Sequence, residues 1–328
     1  METTDTSAHG IEIACDESGW EGSNFTTGNS VVIAHASVRI DTGAAAACVR
    51  ELRGRSAGGH EFKAGHLLRG GPDLAAFLGP SGPLHGRALV HLTCKSCFVL
   101  GRVLDLLVGG SADTASLGLR PQPRLADQAA ELCRAGPRTF GPEPWQAFLR
   151  AANLVLRADR HPKVRAPVDA FYDRLDALRS PAGCAVLDEL ARVRDSAPAA
   201  RARLLEEQTL QPVLEPLLPS LARAVLHWSG GVHPVAVVHD EQSALTARRM
   251  ARLERTLADL GRIRPPARGP FLRFRQADSR TDPRVQVADL LAGVARRIVT
   301  DDMNGRGDPE LTALLRPYVD PASRWCRS

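Results

Sequence analysis

Apolar and polar positions alternate in short runs near both ends of this chain, and apolar residues with helical spacing fill its middle. Ile11-Glu12-Ile13-Ala14-Cys15-Asp16 has a period of two and predicts a strand over 11–16. A second strand is expected over 30–40, and the polar, glycine-containing stretch between the two predicts an antiparallel hairpin with a long loop. A short helix over 43–53, a glycine-rich loop at 54–59, a strand over 87–93 and a helix near 96–108 follow. From about 110 to 230 proline and glycine breaks separate helical stretches over 143–158, 165–179, 183–195, 199–210 and 213–228. The strand signal then returns at 233–240, an apolar run short enough for a buried strand. An amphipathic helix over 242–260, a linker at 261–270 and an alternating strand over 271–275 come next. The last strong helix, 283–299, opens on Asp282-Pro283, a favourable N-cap and first-turn pair.

This order predicts an α/β fold with one mixed five-stranded sheet flanked by helices. Residues 1–109 supply its first three strands, 110–230 form an all-helical insertion, 231–300 complete the sheet, and 301–328 are a C-terminal tail.

Composition narrows the class only slightly. With 328 residues, 44% hydrophobic and 24% charged, the chain is ordinary for a globular protein. No basic-plus-apolar leader precedes Ile11, and no run approaches the roughly 18 apolar residues of a membrane span. Seven cysteines, an odd number without a framework, predict a reduced, cytoplasmic protein. The net charge of +5 permits a polyanionic partner without demanding one. Arginine supplies nearly all the positive charge, and abundant Ala, Arg, Gly and Pro point to GC-rich coding, so arginine content alone argues little. The few lysines, Lys63, Lys95 and Lys163, are the more informative cations, because a compact ammonium and a planar guanidinium are not interchangeable at a tight site.

The candidate chemistry is acidic. Asp16 ends the first strand and Asp240 a later one; on neighbouring strands their ends lie about 5 Å apart. Asp289 sits in the second turn of the last helix, with Gln286 on the same face, while Ala288, Ala292 and Gly293 allow close approach to a sheet. Glu61 follows the glycine-rich loop and precedes Lys63, and Glu17, Glu241 and Ser279 are secondary candidates. Carboxylates gathered at one point repel unless a cation neutralises them, which favours Mg²⁺ or Mn²⁺. Two such ions about 3.5–4 Å apart activate water and stabilise the leaving oxygen in phosphodiester hydrolysis, with Lys63 placed to meet a phosphate or orient the water. Each residue also has a plainer role open to it. Asp240 or Ser243 can cap the helix that follows, Asp16 can form a turn before Gly19, and Glu61 can be a solvated loop carboxylate. Asp289 is the hardest to explain so, because Asp is a poor helix former and its flanks are apolar.

Together these segments resemble the DUF3800 family of bacterial and archaeal proteins. The matching pieces are Asp16-Glu17-Ser18-Gly19 after a first strand, Glu61-Phe62-Lys63, the strand ending in Asp240, and Gln286-Val287-Ala288-Asp289-Leu290-Leu291-Ala292-Gly293. They cover about 11–100 and 230–300 and leave the helical block unmatched. The resemblance implies a ribonuclease H-like fold and a metal-dependent nuclease or related phosphoryl-transfer activity. Its functional residues fall on Asp16, Glu61, Asp240 and Asp289, with Lys63 accompanying. In ribonuclease H itself the corresponding glutamate follows the third strand, whereas Glu61 precedes it. Nucleic acid, DNA or RNA, is the expected partner, with no membrane. A protein-interaction module on the same fold and a phosphatase or nucleotidase acting on small phosphates are the alternatives.

Other motifs carry less. Cys94-Lys95-Ser96-Cys97 can be half a zinc site or a redox pair, but with no second C-x-x-C and no paired histidines at a usual spacing it reads as two small residues packed where strand meets helix. Lys95, which can also point toward the acidic centre, reads as exposed. His60 and His66 are six apart and cannot share a helix face as in H-E-x-x-H. His239 beside Asp240 can assist a metal site but reads rather as a packed or partly exposed strand-end histidine. Arg248, Arg249, Arg252 and Arg255, which can track a nucleic-acid backbone, read rather as a solvated helix face.

Overall fold

The alternating segment near the start of the chain forms β1 (Ile11–Ser18), and Ile13 to Asp16 are all buried because this strand is the centre of a five-stranded sheet. The computed structural model describes residues 10–28, 30–54, 64–68, 71–110, 122–157, 163–179, 183–207, 213–261, 270–323 and 325. After β1 come β2 (Val32–Val38), α1 (Thr42–Gly54), α2 (Ala64–Leu67), α3 (Gly71–Leu78), β3 (Ala88–Cys94) and α4 (Lys95–Leu107). The helical middle comprises α5 (Pro123–Phe140), α6 (Pro142–Leu156), α7 (Arg165–Leu178), α8 (Ala185–Arg192), α9 (Ala197–Glu207) and α10 (Leu217–Ser229). The chain closes with β4 (Val235–His239), α11 (Ala247–Gly261), β5 (Phe271–Gln276), α12 (Pro283–Met303) and α13 (Pro309–Leu315).

The fold is α/β with a mixed open sheet in the order β3-β2-β1-β4-β5. β1 pairs with β2 antiparallel and with β4 parallel, and β4 pairs with β5 parallel. β1, β4 and β5 therefore end on the same edge, where Cys15 is level with His239 and His239 with Gln276. The period of two sends alternate side chains into different cores. Ala14, Ala34, Ala36 and Val238 pack with α1 and α12 on one face; Ile13, Cys15, Val235 and Val237 pack with α10 and α11 on the other.

Two polar contacts set how α12 lies on β1. Arg284 Nη1 donates to Glu12 Oε1 (2.6 Å) near the start of the strand, and Arg296 Nε donates to Ser18 Oγ (2.9 Å) at its end. From Arg284 to Arg296 the helix rises about 18 Å, and from Glu12 to Ser18 the strand advances about 20 Å. Helix and strand thus run parallel and in step.

Helices α4 to α9 build a separate core around Trp145, Phe148, Phe171 and Tyr172, continuous with Phe25 and Ile33 of the sheet region. The last helix of this run, α10, packs instead against β1 and β4. Helix α5 was not expected: Pro137, a residue that ordinarily breaks helices, sits inside it, and the chain stays helical to Phe140. Helix α11 starts at Ala247 rather than 242. Beyond 301, α13 and the bridge from Val319 to Val90 pack the chain's end onto the sheet. No described helix is long and apolar enough to cross a membrane.

Gly19 closes β1 with φ +99°, and a Cβ there would meet Val32 O at 2.6 Å and Arg296 Cδ at 2.8 Å. Gly19→Ala is therefore expected to lower unfolding free energy by about 2 kcal/mol. Urea unfolding measures it; an unchanged midpoint would show that the turn has room for a side chain.

Candidate functional site

The shared edge of β1, β4 and β5 gathers the acidic residues. The Asp240 N–H donates to Cys15 O (3.1 Å), so Asp16 and Asp240 leave neighbouring strands side by side. Asp16 is 5% exposed and lies on the face covered by α12, which brings half-buried Asp289 to it from above. Glu17 emerges on the opposite face, yet its N–H donates to Asp16 Oδ1 (2.7 Å), and its carboxylate stays at the same edge.

Neutral groups hold these side chains in place. Asp240 Oδ1 accepts from the Ser279 N–H (3.0 Å), and Glu17 Oε1 accepts from Gln242 Nε2 (2.6 Å). Gln242 is itself fixed, its N–H donating to Gln276 Oε1 (2.9 Å) from the end of β5. Asp240 is therefore not the N-cap of α11; the Thr246 hydroxyl takes the Arg249 N–H there (3.4 Å). Nor is Asp16 a turn former, since it lies within β1.

Two atoms at this edge have no described partner. His239 Nδ1 lies 3.0 Å from the carbonyl oxygen of Asp240, which can only accept, so Nδ1 carries the proton and Nε2 keeps a lone pair. That Nε2 and Glu17 Oε2 are both buried without a hydrogen bond among the described residues. One ligand atom from each of Asp16, Glu17 and His239 lies within 4.8 Å of the others. Burial pushes His239 down to about 4, so its ring is neutral near neutral pH.

The carboxylates disturb one another. Burial first, then the charges of Glu17, Asp289 and Asp240, hold the Asp16 carboxyl far above the ordinary carboxylate range; only the Glu17 N–H opposes them. Burial and the charges of Asp240 and Asp289 raise Glu17 as well. No cation figures among these influences. This donor set, carboxylate oxygens with one neutral imidazole and two unsatisfied buried acceptors, fits a divalent ion of the Mn²⁺ or Mg²⁺ type.

The structure thus brings Asp16 within 4.8 Å of ligand atoms of Glu17 and His239, while Asp240 and Asp289 stand outside that group but close enough for their charges to act on Asp16 and Glu17. Glu61 and Lys63 lie outside the described residues. Of the secondary candidates, Ser279 contributes through its backbone, Gln286 is half-buried on α12 three residues before Asp289, and Glu241 is exposed. Lys95, expected at the surface, is 2% exposed, its ammonium disfavoured by burial and by Arg296 and supported by Glu21. His239, read from the sequence as packing, faces the site. Gly293, one helical turn beyond Asp289, and Arg296, two turns beyond it, line an arginine-bearing cleft of about 490 Å³ with Arg297 and Arg306. Arg248 and Arg255 are exposed, as a solvated face requires. Cys94 and Cys97 are joined by Cys133 of α5, which no local motif pointed to.

Compared with protein-family models, with curated proteins and with solved structures, the chain matches none.

Because the folded protein holds protons on Asp16 and Glu17 that the unfolded chain releases near pH 4, metal-free stability falls as pH rises from about 5 to about 8. Asp16→Asn removes one of the repelling charges and flattens this slope, which urea midpoints across pH will register. An equally steep slope in the variant would mean that Asp16 is not the strained group.

Proposed function

We infer that this chain is a Mg²⁺- or Mn²⁺-dependent nuclease of the cytoplasm, built on a ribonuclease H-like core. The observation that carries the reading is the burial of mutually repelling carboxylates at one sheet edge with no cation among the groups that act on them. A mixed five-stranded sheet with β1 beside β4, each delivering an aspartate to that edge, supports the ribonuclease H-like assignment, as does the order of the DUF3800-like segments.

Asp16, Asp240 and Asp289 are the residues that would hold the ion, with Glu17 and His239 Nε2 beside them. The ion would supply Lewis-acid stabilisation and water activation for phosphodiester cleavage. The protein's own share is positional. The Ser279 N–H keeps Asp240 turned to the edge, and Gln242 occupies Glu17 Oε1 so that Oε2 is the free acceptor for a proton. Arg296, Arg297 and Arg306 line the adjoining cleft, where a phosphate backbone finds guanidinium donors, although Asp301 pairs with Arg297 and Arg306. Glu61 and Lys63 enter this reading through the resemblance alone. The cleft favours a polymer over a small phosphate, and no arginine is among the groups described as acting on Asp16 and Glu17, which disfavours a purely structural role for the acidic cluster.

Isothermal titration of Mn²⁺ into the wild type and Asp289→Asn, with circular dichroism on both, tests the site. Binding by the wild type that is lost in a folded variant is expected, together with a fall of about a hundredfold or more in cleavage of single- and double-stranded DNA and RNA. Metal-dependent cleavage retained in both Asp16→Asn and Asp289→Asn would overturn the assignment.

Arg306→Ala leaves the Arg296–Ser18 contact and the carboxylates in place, so it is expected to weaken nucleic-acid binding and reduce its salt dependence while Mn²⁺ affinity is kept. Binding isotherms at two salt concentrations measure this; an unchanged isotherm would move the substrate path elsewhere.

A further inference from the structure

A second cluster of ligating side chains lies away from the acidic edge, where the sheet meets the helical layer. Cys94 ends β3 and is the N-cap residue of α4, Cys97 lies in the first turn of α4, and Cys133 comes from α5. All three are nearly buried, at 2%, 8% and 7% exposed, and their sulfur atoms lie within 4.8 Å of one another.

The spacing is informative. Sulfur ligands at about 2.3 Å from a metal stand about 3.8 Å apart in a tetrahedral site and about 4.0 Å apart in a trigonal one. Cys94 Sγ and Cys133 Sγ are 4.0 Å apart. That pair already stands at ligand spacing, and Cys97 Sγ, within 4.8 Å of both, has to close by less than about 1 Å for the three to share one ion. Their chemistry differs from that of the acidic edge: soft thiolates select Zn²⁺ or Cu⁺ and discriminate against Mg²⁺ and Mn²⁺. The N-terminal end of α4 adds partial positive charge beside Cys94, favouring its thiolate.

We propose that Cys94, Cys97 and Cys133 bind one thiophilic d¹⁰ cation, zinc or copper(I), which fastens α5 of the helical layer to the β3–α4 corner of the sheet. Binding replaces the thiol protons, releasing them to solvent as three metal–sulfur bonds form. Among the described residues no further cysteine or histidine joins the group, so copper(I) would sit in a trigonal site and zinc would take one outside ligand. The site is independent of the nuclease reading.

The test uses the full chain, purified in reductant without chelator. To silence the acidic edge, it carries Asp16→Asn. Elemental analysis is expected to find about one equivalent of zinc or copper per chain, and the element found distinguishes the two. Co²⁺ alone, added to metal-stripped protein, is expected to give a thiolate-to-cobalt charge-transfer band. Cys133→Ser should lose metal and band, whereas Cys48→Ser, outside the cluster, should keep both. Where Cys133→Ser does not fold, Cys133→Ala keeps the apolar packing and serves instead, and where neither folds the metal count and cobalt band of the parent chain decide. A folded parent chain without metal that shows no band with Co²⁺ overturns the proposal, as does a Cys133 variant that retains the band.

Discussion

Everything about the acidic edge follows from one constraint: buried Asp16 and half-buried Glu17 stand beside two more carboxylates, and inside a protein like charges without a counter-ion are costly. Without a cation the protein can respond only by holding protons, which is what the raised Asp16 and Glu17 express. The hydrogen bonds described to Asp16, Glu17 and Asp240 come from neutral donors, the Ser279 and Glu17 N–H groups and the Gln242 amide. These donors orient the oxygens without cancelling their charge. An ion pair would have relieved the strain and also filled the site, whereas Arg296 is engaged by Ser18 at the end of β1.

The constraint reaches outward through α12. An aspartate side chain is short, so Asp289 acts on Asp16 only if helix and sheet approach closely. That approach is made by alanine facing alanine: Ala14, Ala34 and Ala36 from the sheet share one core with Ala288, Ala292 and Ala295 of α12. At Gly293 the packing tightens further, since a Cβ there would come within 2.7 Å of Ala64 Cβ. The Arg284–Glu12 and Arg296–Ser18 contacts then fix where along β1 the helix rests. Closeness comes from the small residues and register from the arginines, and Asp289 depends on both.

This division explains what could be read from the chain. The strands were legible because burial on two faces or one leaves a period of two or an unbroken apolar run, and Asp16, Asp240 and Asp289 were legible because charge is out of place in such runs. Glu17 was weaker, since on alternation alone it belongs to the other face; only the strand's end lets its carboxylate turn back to Asp16. His239 was signalled only by its place beside Asp240, because its role rests on which ring nitrogen faces the Asp240 carbonyl. Arg296 was hidden among many arginines. Lys95 was misplaced because a lysine between two cysteines at a helix start reads as surface, whereas it is buried with its ammonium close to Gly28 of the loop after β1 and under the influence of Glu21. Cys133 stayed unseen for a related reason: Pro137 concealed the helix that carries it.

The helical layer is more than a neighbour of the sheet. The loop that leaves the acidic edge, directly after Gly19, is gripped by buried Asn153 of α6, which accepts from the Phe25 N–H (3.2 Å) and donates to Ser23 O (3.4 Å). Phe25 then enters the core of the helical layer and meets Phe98 of α4 at 5.3 Å between ring centres. The three cysteines join the same layer to the same sheet at the β3–α4 corner, next in sequence to buried Lys95. Between Asn153 and Cys133 the layer therefore has two footholds, one on the loop after β1 and one on the strand two places along the sheet. A rotation of the layer that kept either foothold would strain the other, so α4 to α9 hold the end of β1, and with it Asp16 and Glu17, in a fixed position against α12.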